Sequence, residues 1–571
     1  MKTQTQICAL RDGSQLHFFS WLPEAPPEQW VILLHRGHEH GERWAETVAR
    51  LDDGRTAFFA WDARGHGRSD GARGEAESFF SYAEDLQDFF RFLKSEHGLI
   101  EERCVLIAHS VGAVTVLNWI LNAAPRLQGL VLATPALDIR LYLPFALPLL
   151  KLRHKLFGSG KVTSYVGPSM LTHDPEEAAR YAADPLIFRP IADNVLIDLY
   201  ANAERCLADA GQIRTPTLLI TAGKDFVVNN RVSRRLFERL GHPAKRHLVC
   251  PEMHHAVFHE SGRAALCGEI RSFLDQVRSL PTAPALPPAH EDAFGPSLDA
   301  LEQTRRPCLK TRLLRGSQKL ALATLGRLSQ GIAIGWKHGF DSGASLDHVY
   351  RDRAQGVTPL GRLIDRVYLN SPGWIGIRQR RLHLHQALDE ALAEVRAAGL
   401  PSQLLDLACG GGYVMEALER HPELSAELRD FMPDSLAVTR RHAEAKGLLN
   451  RIQLAQGDAF AAAAPQLQPS VIVVSGLLEL FPSNELARRC LASCAAFLPE
   501  NGRLLVTNQP WHPQLELIAA LRNHRGQPWE MRCRSQAEIR ALLEEQGFVI
   551  DTIRCDKLGI FSVLHCRKAG R

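Results

Sequence analysis

Short apolar runs alternate with helical segments in two separate stretches of this chain, and this alternation constrains the fold most strongly. In the first stretch, turn residues bound the runs predicted as buried strands, which are 31–34, 57–60, 105–108, 130–133, 217–221 and 246–249. In the second stretch, the predicted strands are 404–408, 427–430, 452–455, 471–475, 503–507, 549–554 and 561–566. Strands that alternate with helices form a mainly parallel sheet with helices on both faces. The sequence therefore predicts the α/β fold class.

The length of the chain indicates more than one domain. A single hydrophobic core stops growing at about 250–300 residues, and this chain has 571. Five prolines between Leu280 and Pro296 predict a semi-rigid, extended linker over 281–302. We therefore expect one domain over 1–280 and a second over 371–571, with a basic helical connector or lid over 303–370.

Residues 137–208 interrupt the alternation of the first domain. They contain Pro-rich apolar stretches and helical patterns but no clear strand, and they include a predicted helix over 141–157. We expect a helical cap over the C-terminal edge of the sheet. The predicted helix is apolar with basic residues at one end, which suits a lipid-like acyl chain beside an anionic group. The alternative is an ordinary hydrophobic cap that packs on the sheet.

Composition and charge exclude several classes of protein. The 67 Lys and Arg residues nearly balance the 63 Asp and Glu residues, so no global basic field indicates a nucleic-acid partner. The 12 cysteines form no Cys-x-x-Cys pair and indicate a reducing compartment. The longest apolar run, 141–150, has about half the length of a membrane span, and no signal-peptide pattern opens the chain. We expect a cytoplasmic protein, either soluble or peripheral to the inner face of the membrane.

Residues 303–340 form a basic segment that contains no acid and eight basic side chains. Leu309, Leu313, Leu320 and Leu328 recur within it at roughly helical spacing. A basic amphipathic helix is typical of a protein that lies on an anionic membrane surface. The alternative is a helix that docks against either domain.

A candidate nucleophile, Ser110, lies where a predicted strand turns sharply into a helix. Small residues two before and two after such a serine let strand and helix approach closely, and Ala108 and Gly112 take these positions. Serine needs a base and an orienting acid. Asp225 and His255 follow later strands, in the order Ser, Asp, His that such sheets use.

Two alternatives concern the histidines. His254 is the competing base, and the downstream spacing to Glu260 favours His255. A metal site is the alternative role for His35, His38 and His40 and for the pair His255 and His259, but this pair lacks the intervening glutamate of a His-Glu-x-x-His zinc site, and we expect no metal.

Three segments of the first half resemble the serine aminopeptidase S33 and monoacylglycerol-lipase-like α/β-hydrolases. Trp61-Asp-Ala-Arg-Gly-His-Gly-Arg-Ser-Asp-Gly71 looks like their Asp-x-x-Gly-His-Gly-x-Ser segment. His35-Arg-Gly-His-Glu-His40 looks like their oxyanion loop, and His255-Ala-Val-Phe-His-Glu260 looks like their His-x-x-x-x-Glu ending. The resemblance covers about residues 5–280.

The resemblance implies a role for each of these residues. Ser110 is the nucleophile, Asp225 orients and His255 is the base. The backbone N–H groups of Gly37 and Val111 stabilise the oxyanion. Arg36 stands where the family usually has glycine, and a side chain there would narrow the oxyanion turn. The substrate implied is an ester, either a lysophospholipid or a monoacylglycerol.

A glycine-rich turn opens the second half. A predicted strand ends at Asp406-Leu-Ala-Cys-Gly-Gly-Gly412 and a helix follows. Glycines let the backbone approach a ligand and leave helix N–H groups pointing at it. A dinucleotide fingerprint needs a further glycine where Met415 stands, so that pattern fails.

The ordered set of motifs in the second half, over about 370–571, resembles the class I methyltransferases that use S-adenosylmethionine (SAM). Their first motif has the form Asp-x-Gly-x-Gly-x-Gly, in which Ala408 replaces the first glycine here. The resemblance implies a Rossmann-like domain that binds SAM. The residues that it assigns to the cofactor are Asp406, Ala408, Gly410, Gly412, Asp430 at the ribose, Asp458 near the adenine and Ser475 in the fourth-strand motif.

Two regions of the second half can each be interpreted in two ways. Residues 508–513, with His512, line the acceptor pocket or form a structural loop. Residues 335–343 and 350–374 form a lid over SAM or pack as plain helices. The sequence as a whole predicts a bifunctional hydrolase and methyltransferase. The alternatives are a membrane-surface scaffold with partly inactive sites and a hydrolase whose second domain only binds SAM.

Overall fold

The computed structural model of the protein describes residues 1–280, 296–461, 463–523 and 526–570. The chain divides into two units, Met1–Pro284 and Ala285–Arg571. In the described residues, an eight-stranded sheet organises the first unit and a seven-stranded sheet the second. The predicted α/β class is confirmed.

The sheet of the first unit has the strand order β1-β2-β4-β3-β5-β6-β9-β10. The strands of this unit are β1 Lys2–Ala9, β2 Gln15–Leu22, β3 Gln29–Leu34, β4 Thr56–Trp61, β5 Cys104–His109, β6 Gly129–Ala133, β7 Lys161–Thr163, β8 Pro190–Ala192, β9 Thr217–Ala222 and β10 Lys245–Cys250. From β4 to β10 the neighbouring strands of the sheet are parallel, whereas β1 and β2 are antiparallel additions. All six predicted strands are present.

Helices cover both faces of this sheet, as expected for a buried parallel sheet. They are α1 Ala45–Leu51, α2 Ser81–Glu96, α3 Val111–Ala123, α4 Ala146–Phe157, α5 Pro168–Leu171, α6 Pro175–Ala183, α7 Asp193–Ala208, α8 Asn230–Arg239 and α9 Arg263–Arg278. Every residue of the central strand β5 is buried, so the strand that leads into Ser110 is held on all sides.

Residues 137–208 contain α4 to α7, and two predictions for this segment need correction. The structure adds an antiparallel pair of strands, β7 with β8, which the sequence did not predict because strands of three residues show no periodicity. The helix predicted over 141–157 begins only at Ala146. Pro144 disfavours a helical residue before it, and Phe145 has a positive φ of 58°.

The sheet of the second unit has the strand order β13-β12-β11-β14-β15-β17-β16. Its strands are β11 Gln403–Asp406, β12 Ser425–Asp430, β13 Ile452–Gln456, β14 Val471–Val474, β15 Arg503–Asn508, β16 Phe548–Cys555 and β17 Ser562–Lys568. The first five in the sheet order are parallel, and β17 runs antiparallel to both β15 and β16. All seven predicted strands are present.

The helices of the second unit lie before and between these strands. They are α10 Pro296–Arg305, α11 Leu309–Ala323, α12 Gln330–His338, α13 Gly343–Arg351, α14 Pro359–Leu369, α15 Pro372–Ala397, α16 Met415–Arg420, α17 Pro433–Ala445, α18 Asn484–Phe497, α19 Leu515–Ile518 and α20 Gln536–Glu545.

The predicted linker over 281–302 is corrected at its end. Residues 281–295 lie outside the described residues. From Pro296 the chain is helical as α10, because proline is tolerated at the first helical position, where its missing N–H has no partner to lose. In the described residues, no helix combines the length and apolar character that a membrane span needs.

Candidate active sites

Ser110 occupies a strained turn between β5 and α3. Its φ of +54° lies in the left-handed region, which a non-glycine residue rarely adopts. Gly112 is required two residues later, because a Cβ there would lie 2.7 Å from the His35 carbonyl oxygen and 2.9 Å from that of Leu34. Ala108 is fully buried on the other side of the turn. The close approach of strand and helix therefore projects the serine hydroxyl out of the sheet.

The structure brings Ser110, His255 and Asp225 into one hydrogen-bonded chain. Nε2 of His255 lies 2.9 Å from Oγ of Ser110, and Nδ1 lies 2.9 Å from Oδ2 of Asp225. All three residues are at most 4% exposed. The other carboxylate oxygen of Asp225 accepts the backbone N–H groups of Val227 and Val228 at 2.8 and 2.9 Å. The carboxylate is thus fixed in the orientation that meets the imidazole.

The electrostatics of Asp225 keep it ionised. Burial by itself raises the pKa of this carboxyl, but the charge of His255 and the hydrogen bonds from His255, Val228 and Val227 outweigh burial and lower the pKa below its ordinary value. An ionised Asp225 accepts a hydrogen bond from the N–H at Nδ1 of His255. Nε2 is then free to accept the proton of the serine hydroxyl.

The structure places the competing base, His254, away from the serine. Its Nδ1 lies 3.2 Å from the carbonyl oxygen of Ser169, and its ring packs edge-on against His173 and Phe226. Its backbone N–H donates to the buried carboxylate of Glu260 at 2.8 Å. The loop therefore presents His255, and not its neighbour, to Ser110.

Two buried residues that the sequence analysis did not single out hold the histidine loop. The backbone carbonyl of His255 accepts the hydroxyl of Thr134 at 3.1 Å and lies 3.1 Å from Nε2 of His109. Burial lowers the pKa of His109 well below the ordinary value, so its ring is neutral. Each residue directly follows a predicted strand, at the same edge of the sheet as Ser110. That position in the sequence could have identified both residues as candidates.

Gly37 and Val111, the predicted oxyanion donors, lie against each other. A Cβ on Gly37 would be 3.3 Å from Cγ2 of Val111. Within the described residues, no hydrogen bond uses the backbone N–H of either residue. The guanidinium of Arg36 bonds Oε1 of Glu39 at 2.8 Å and lies over the ring of Tyr181, so it does not narrow the turn as the sequence suggested.

A cavity of about 540 Å³ opens at Ser110 and His255. Most of its lining is apolar and comes from the cap, including Leu147, Leu150 and Leu199. Two histidines from the sheet loops add polar groups. Burial lowers the pKa of His38 to about 4 and that of His66 to about 3. The imidazoles are therefore neutral hydrogen-bonding groups at neutral pH.

In the second unit, the glycine turn after β11 contacts Asp430, the last residue of β12. The backbone N–H of Gly410 donates to Oδ2 of Asp430 at 2.9 Å, and that of Met432 donates to Oδ1 at 2.8 Å. Gly410 and Gly412 have φ of +52° and +83°. No heavy atom lies within 4 Å of a Cβ built on Gly410, so the turn borders open space.

The carboxylate of Asp406 is fully buried and lies beside the hydroxyl of Tyr413. Oδ1 accepts the N–H of Ala408 at 3.0 Å, whereas Oδ2 has no hydrogen-bond partner in the described residues. Burial raises the pKa of Asp406 to about 7. An unsatisfied buried carboxylate beside an open glycine turn suits a ligand that carries a cationic group.

The remaining residues assigned to the cofactor follow β13 and β14, the strands that flank this pair. Oδ1 of Asp458 accepts the N–H of Phe460 at 2.9 Å. Ser475 directly follows β14, and the next N–H, of Gly476, donates to Thr507 at 2.8 Å. Neither is hydrogen-bonded to Asp406 or Asp430 within the described ranges.

The predicted acceptor loop, residues 508–513, contacts the start of α15, which lies in the segment predicted as a lid. His512 is largely enclosed, and burial lowers its pKa to about 4. Its Nδ1 accepts the N–H of Gln514 at 3.0 Å, and a Cβ on Gly373 would lie 2.6 Å from its Nε2. The loop therefore packs on the start of α15. Among the described residues, no group of three His, Cys, Asp or Glu is arranged to hold a metal ion.

Comparison with known proteins gives two families. Residues 25–262 match the model described as "Serine aminopeptidase, S33", and residues 270–568 match the model described as "Putative methyltransferase". An uncharacterized protein of Escherichia coli K12, YnbC, is 41% identical over 97% of this chain and 96% of its own length.

Two further matches each cover less than half of this chain. A monoacylglycerol lipase of Mycolicibacterium smegmatis is 24% identical over 46% of this chain and 93% of its own. The crystal structure of a Paleococcus ferrophilus monoacylglycerol lipase matches with 25% identity and a TM-score of 0.42, over 46% of this chain and 99% of that one. The chain thus joins a serine aminopeptidase S33 α/β-hydrolase half to a second half that matches the other model, and it belongs to the family described as "Putative methyltransferase".

Proposed function

We propose that the first unit is a serine hydrolase that cleaves the ester bond of monoacylglycerols. The observation that carries the proposal is the hydrogen-bonded chain from Asp225 through His255 to Ser110 at the base of an apolar cavity. The similarity to a monoacylglycerol lipase supports the substrate class.

The reaction follows from this geometry. Oγ of Ser110 attacks the ester carbonyl while Nε2 of His255 takes its proton, and the N–H groups of Gly37 and Val111 receive the developing oxyanion. Collapse of the tetrahedral species expels the alcohol, which His255 protonates. Water then attacks the acyl-serine with His255 again as base, which releases the carboxylic acid and restores the hydroxyl.

The charges around the cavity favour an uncharged head group over a phosphate. The imidazoles of His38 and His66 are neutral, and the guanidinium of Arg36 is occupied by Glu39. The basic cap residues Arg153 and His154 bind Asp193, at 2.5 and 3.0 Å. Of the two substrates expected from the sequence, a monoacylglycerol therefore fits better than a lysophospholipid.

The test is an assay of the purified full chain against monoacylglycerols, lysophosphatidylcholine and p-nitrophenyl esters. We expect turnover of monoacylglycerols and short esters, with weaker turnover of the lysophospholipid. A folded protein that hydrolyses none of them would contradict the proposal, and a preference for the lysophospholipid would contradict the substrate class.

We further propose that the second unit binds SAM and transfers its methyl group. SAM supplies an electrophilic methyl group on a sulfonium. Asp430 would accept hydrogen bonds from the ribose hydroxyls, and the turn at Gly410 and Gly412 would let the backbone approach. The unsatisfied Oδ2 of Asp406 would face the cationic part of the cofactor.

Gly410→Val is expected to weaken SAM binding by about 100-fold or more, because the new side chain fills the open space above the turn. Gly447→Val is the matched control, since Gly447 also has a positive φ and open space around its Cβ but lies in the turn after α17. Calorimetric titration gives both affinities, and thermal unfolding reports the strain common to both variants. Equal affinities in the two variants would contradict the assignment.

SAM affinity is also expected to depend on pH through Asp406. The pKa of Asp406 is raised to about 7, so the unliganded carboxyl is protonated below that pH and ionised above it. A cationic ligand favours the ionised form, so affinity falls by up to about tenfold for each pH unit below 7 and levels off above it. Calorimetry across this range tests the trend, and Asp406→Asn should abolish it. A flat profile in the unsubstituted protein would contradict this role.

A further inference from the structure

An exposed apolar surface, here called the leucine face, is formed by segments of the second unit that precede its first strand in the sequence. Its members are large aliphatic residues that are each at least 52% exposed, namely Leu309, Leu313 and Leu320 of α11, Leu325, and Leu360, Leu363 and Val367 of α14. A folded protein rarely exposes this many large aliphatic side chains on adjoining segments without a binding role.

Helix α11 is oriented with its apolar side outward. Leu309, Leu313 and Leu320 recur on one side and are 73%, 67% and 65% exposed. The opposite, less exposed side carries Arg315, which donates to Glu516 at 2.7 Å and to the carbonyl of Thr304 at 2.8 Å. An ordinary surface helix buries its apolar stripe and exposes its polar side. This helix does the reverse, so its leucines are available to something outside the unit's own core.

Helix α14 continues the surface. Leu360, Leu363 and Val367 have the i, i+3, i+7 spacing of one helix face and are 52%, 57% and 67% exposed. The other side of α14 is buried and carries Asp365, which bonds Ser329 and His348 at 2.6 and 2.9 Å. The short 3-10 turn Leu325–Leu328 contacts both α11 and α14 and joins the two stripes.

The charged side chains of α11, the 3-10 turn and α14 are almost all basic. The buried Asp365 is the only acid within 309–328 and 357–369. Exposed basic residues flank the stripes, and within the described residues none of them forms an ion pair; they are Lys310, Arg312, Lys319, Arg327, Arg362 and Arg366.

We propose that the leucine face docks onto a lipid bilayer that contains anionic phospholipid. Leucines that project between flanking lysines and arginines match the boundary between acyl chains and head groups, where apolar side chains insert and basic ones meet phosphate. The unpaired positive charge selects the anionic bilayer over a neutral one. The sequence predicted a basic helix at such a surface, and the structure adds α14 and the outward orientation of α11.

The test is co-flotation of the full chain with vesicles of phosphatidylcholine, with and without phosphatidylglycerol. We expect binding to the mixed vesicles that weakens as salt is added, and little binding to phosphatidylcholine alone. Leu313→Ser/Leu320→Ser should lower the partition coefficient by about tenfold or more. Arg312→Gln/Lys319→Gln should lower it by about 25-fold, at roughly fivefold for each charge.

The controls separate this surface from other basic or apolar ones. Arg234→Gln/Arg235→Gln removes two exposed charges on α8 and should leave flotation unchanged. Phe145→Ser/Phe157→Ser removes exposed aromatic residues of the cap and should leave most of the binding. Flotation that is absent, or that only the cap variant abolishes, would overturn the proposal.

Sedimentation without lipid tests the protein occupants. A dimer that dissociates in Leu313→Ser/Leu320→Ser would assign the leucine face to a second copy of the chain and overturn the proposal. A lipid-independent change of compactness in the same variant, with flotation retained, would assign it to the other half and also overturn it. Thermal unfolding of each variant shows that loss of binding is not loss of fold.

Discussion

Replacing Ser110 by alanine is expected to lower kcat for ester hydrolysis by about 10⁶-fold, because among the described residues no other hydroxyl is hydrogen-bonded to Nε2 of His255. The residual rate would come from the oxyanion donors and from substrate binding alone. A fluorophosphonate probe, which reacts with an activated serine, should label the unsubstituted chain and fail to label the variant. Hydrolysis of a p-nitrophenyl ester measures the rate.

Ser78→Ala is the matched control for this substitution. Ser78 belongs to the same unit and is 4% exposed, as Ser110 is, but its hydroxyl faces Ser81. Its removal should leave labelling and kcat unchanged. Retained labelling in Ser110→Ala would place the nucleophile elsewhere and end the hydrolase proposal, whereas the proposal for the second unit would stand.

Both parallel sheets could be predicted from the sequence because buried strands leave a strong local signal. The strands around Ile107 and Ile472 are continuous apolar runs between turns, since both faces of a parallel sheet are covered. The approximate position of Ser110, Asp225 and His255 then follows from topology, because parallel strands place their carboxyl ends along one edge. The edge pair β1 and β2 was missed; in β1, five of the eight residues are exposed and only Cys8 is buried, so that strand shows no buried apolar run.

The features that were missed depend on contacts between distant residues. The direction of the Arg36 side chain is set by Glu39 and by Tyr181 of the cap, and neither partner changes the pattern around position 36. Periodicity likewise predicts the leucine stripe of α11, but it does not predict whether the stripe faces the protein or solvent. That orientation depends on the contact of Arg315 on the opposite side with Glu516. Local patterns fix which residues share a face, whereas tertiary contacts decide where that face points.

Asp225→Asn is expected to lower kcat by about 10⁴-fold while the fold stays intact. The native carboxylate accepts a hydrogen bond from Nδ1–H of His255 at 2.9 Å and leaves Nε2 as the acceptor toward Ser110. An asparagine held by Val227 and Val228 through its oxygen would turn its amide N–H toward Nδ1. The imidazole proton then moves to Nε2, which can no longer accept the serine proton.

If Asp225 orients His255, its replacement should have effects that a simple loss of stability would not produce. Asp225→Asn should slow fluorophosphonate labelling and ester hydrolysis by similar factors, since both need the same proton acceptor, while thermal unfolding changes little. Asp209→Asn, which alters a half-buried carboxylate paired with Arg205 in the same unit, should leave both rates unchanged. Unchanged kcat in Asp225→Asn would show that the carboxylate does not set the histidine tautomer. Equal losses in both variants would trace the effect to the fold, because within the described residues Asp209 is paired with Arg205 and takes no part in the hydrogen bonds that join Asp225, His255 and Ser110.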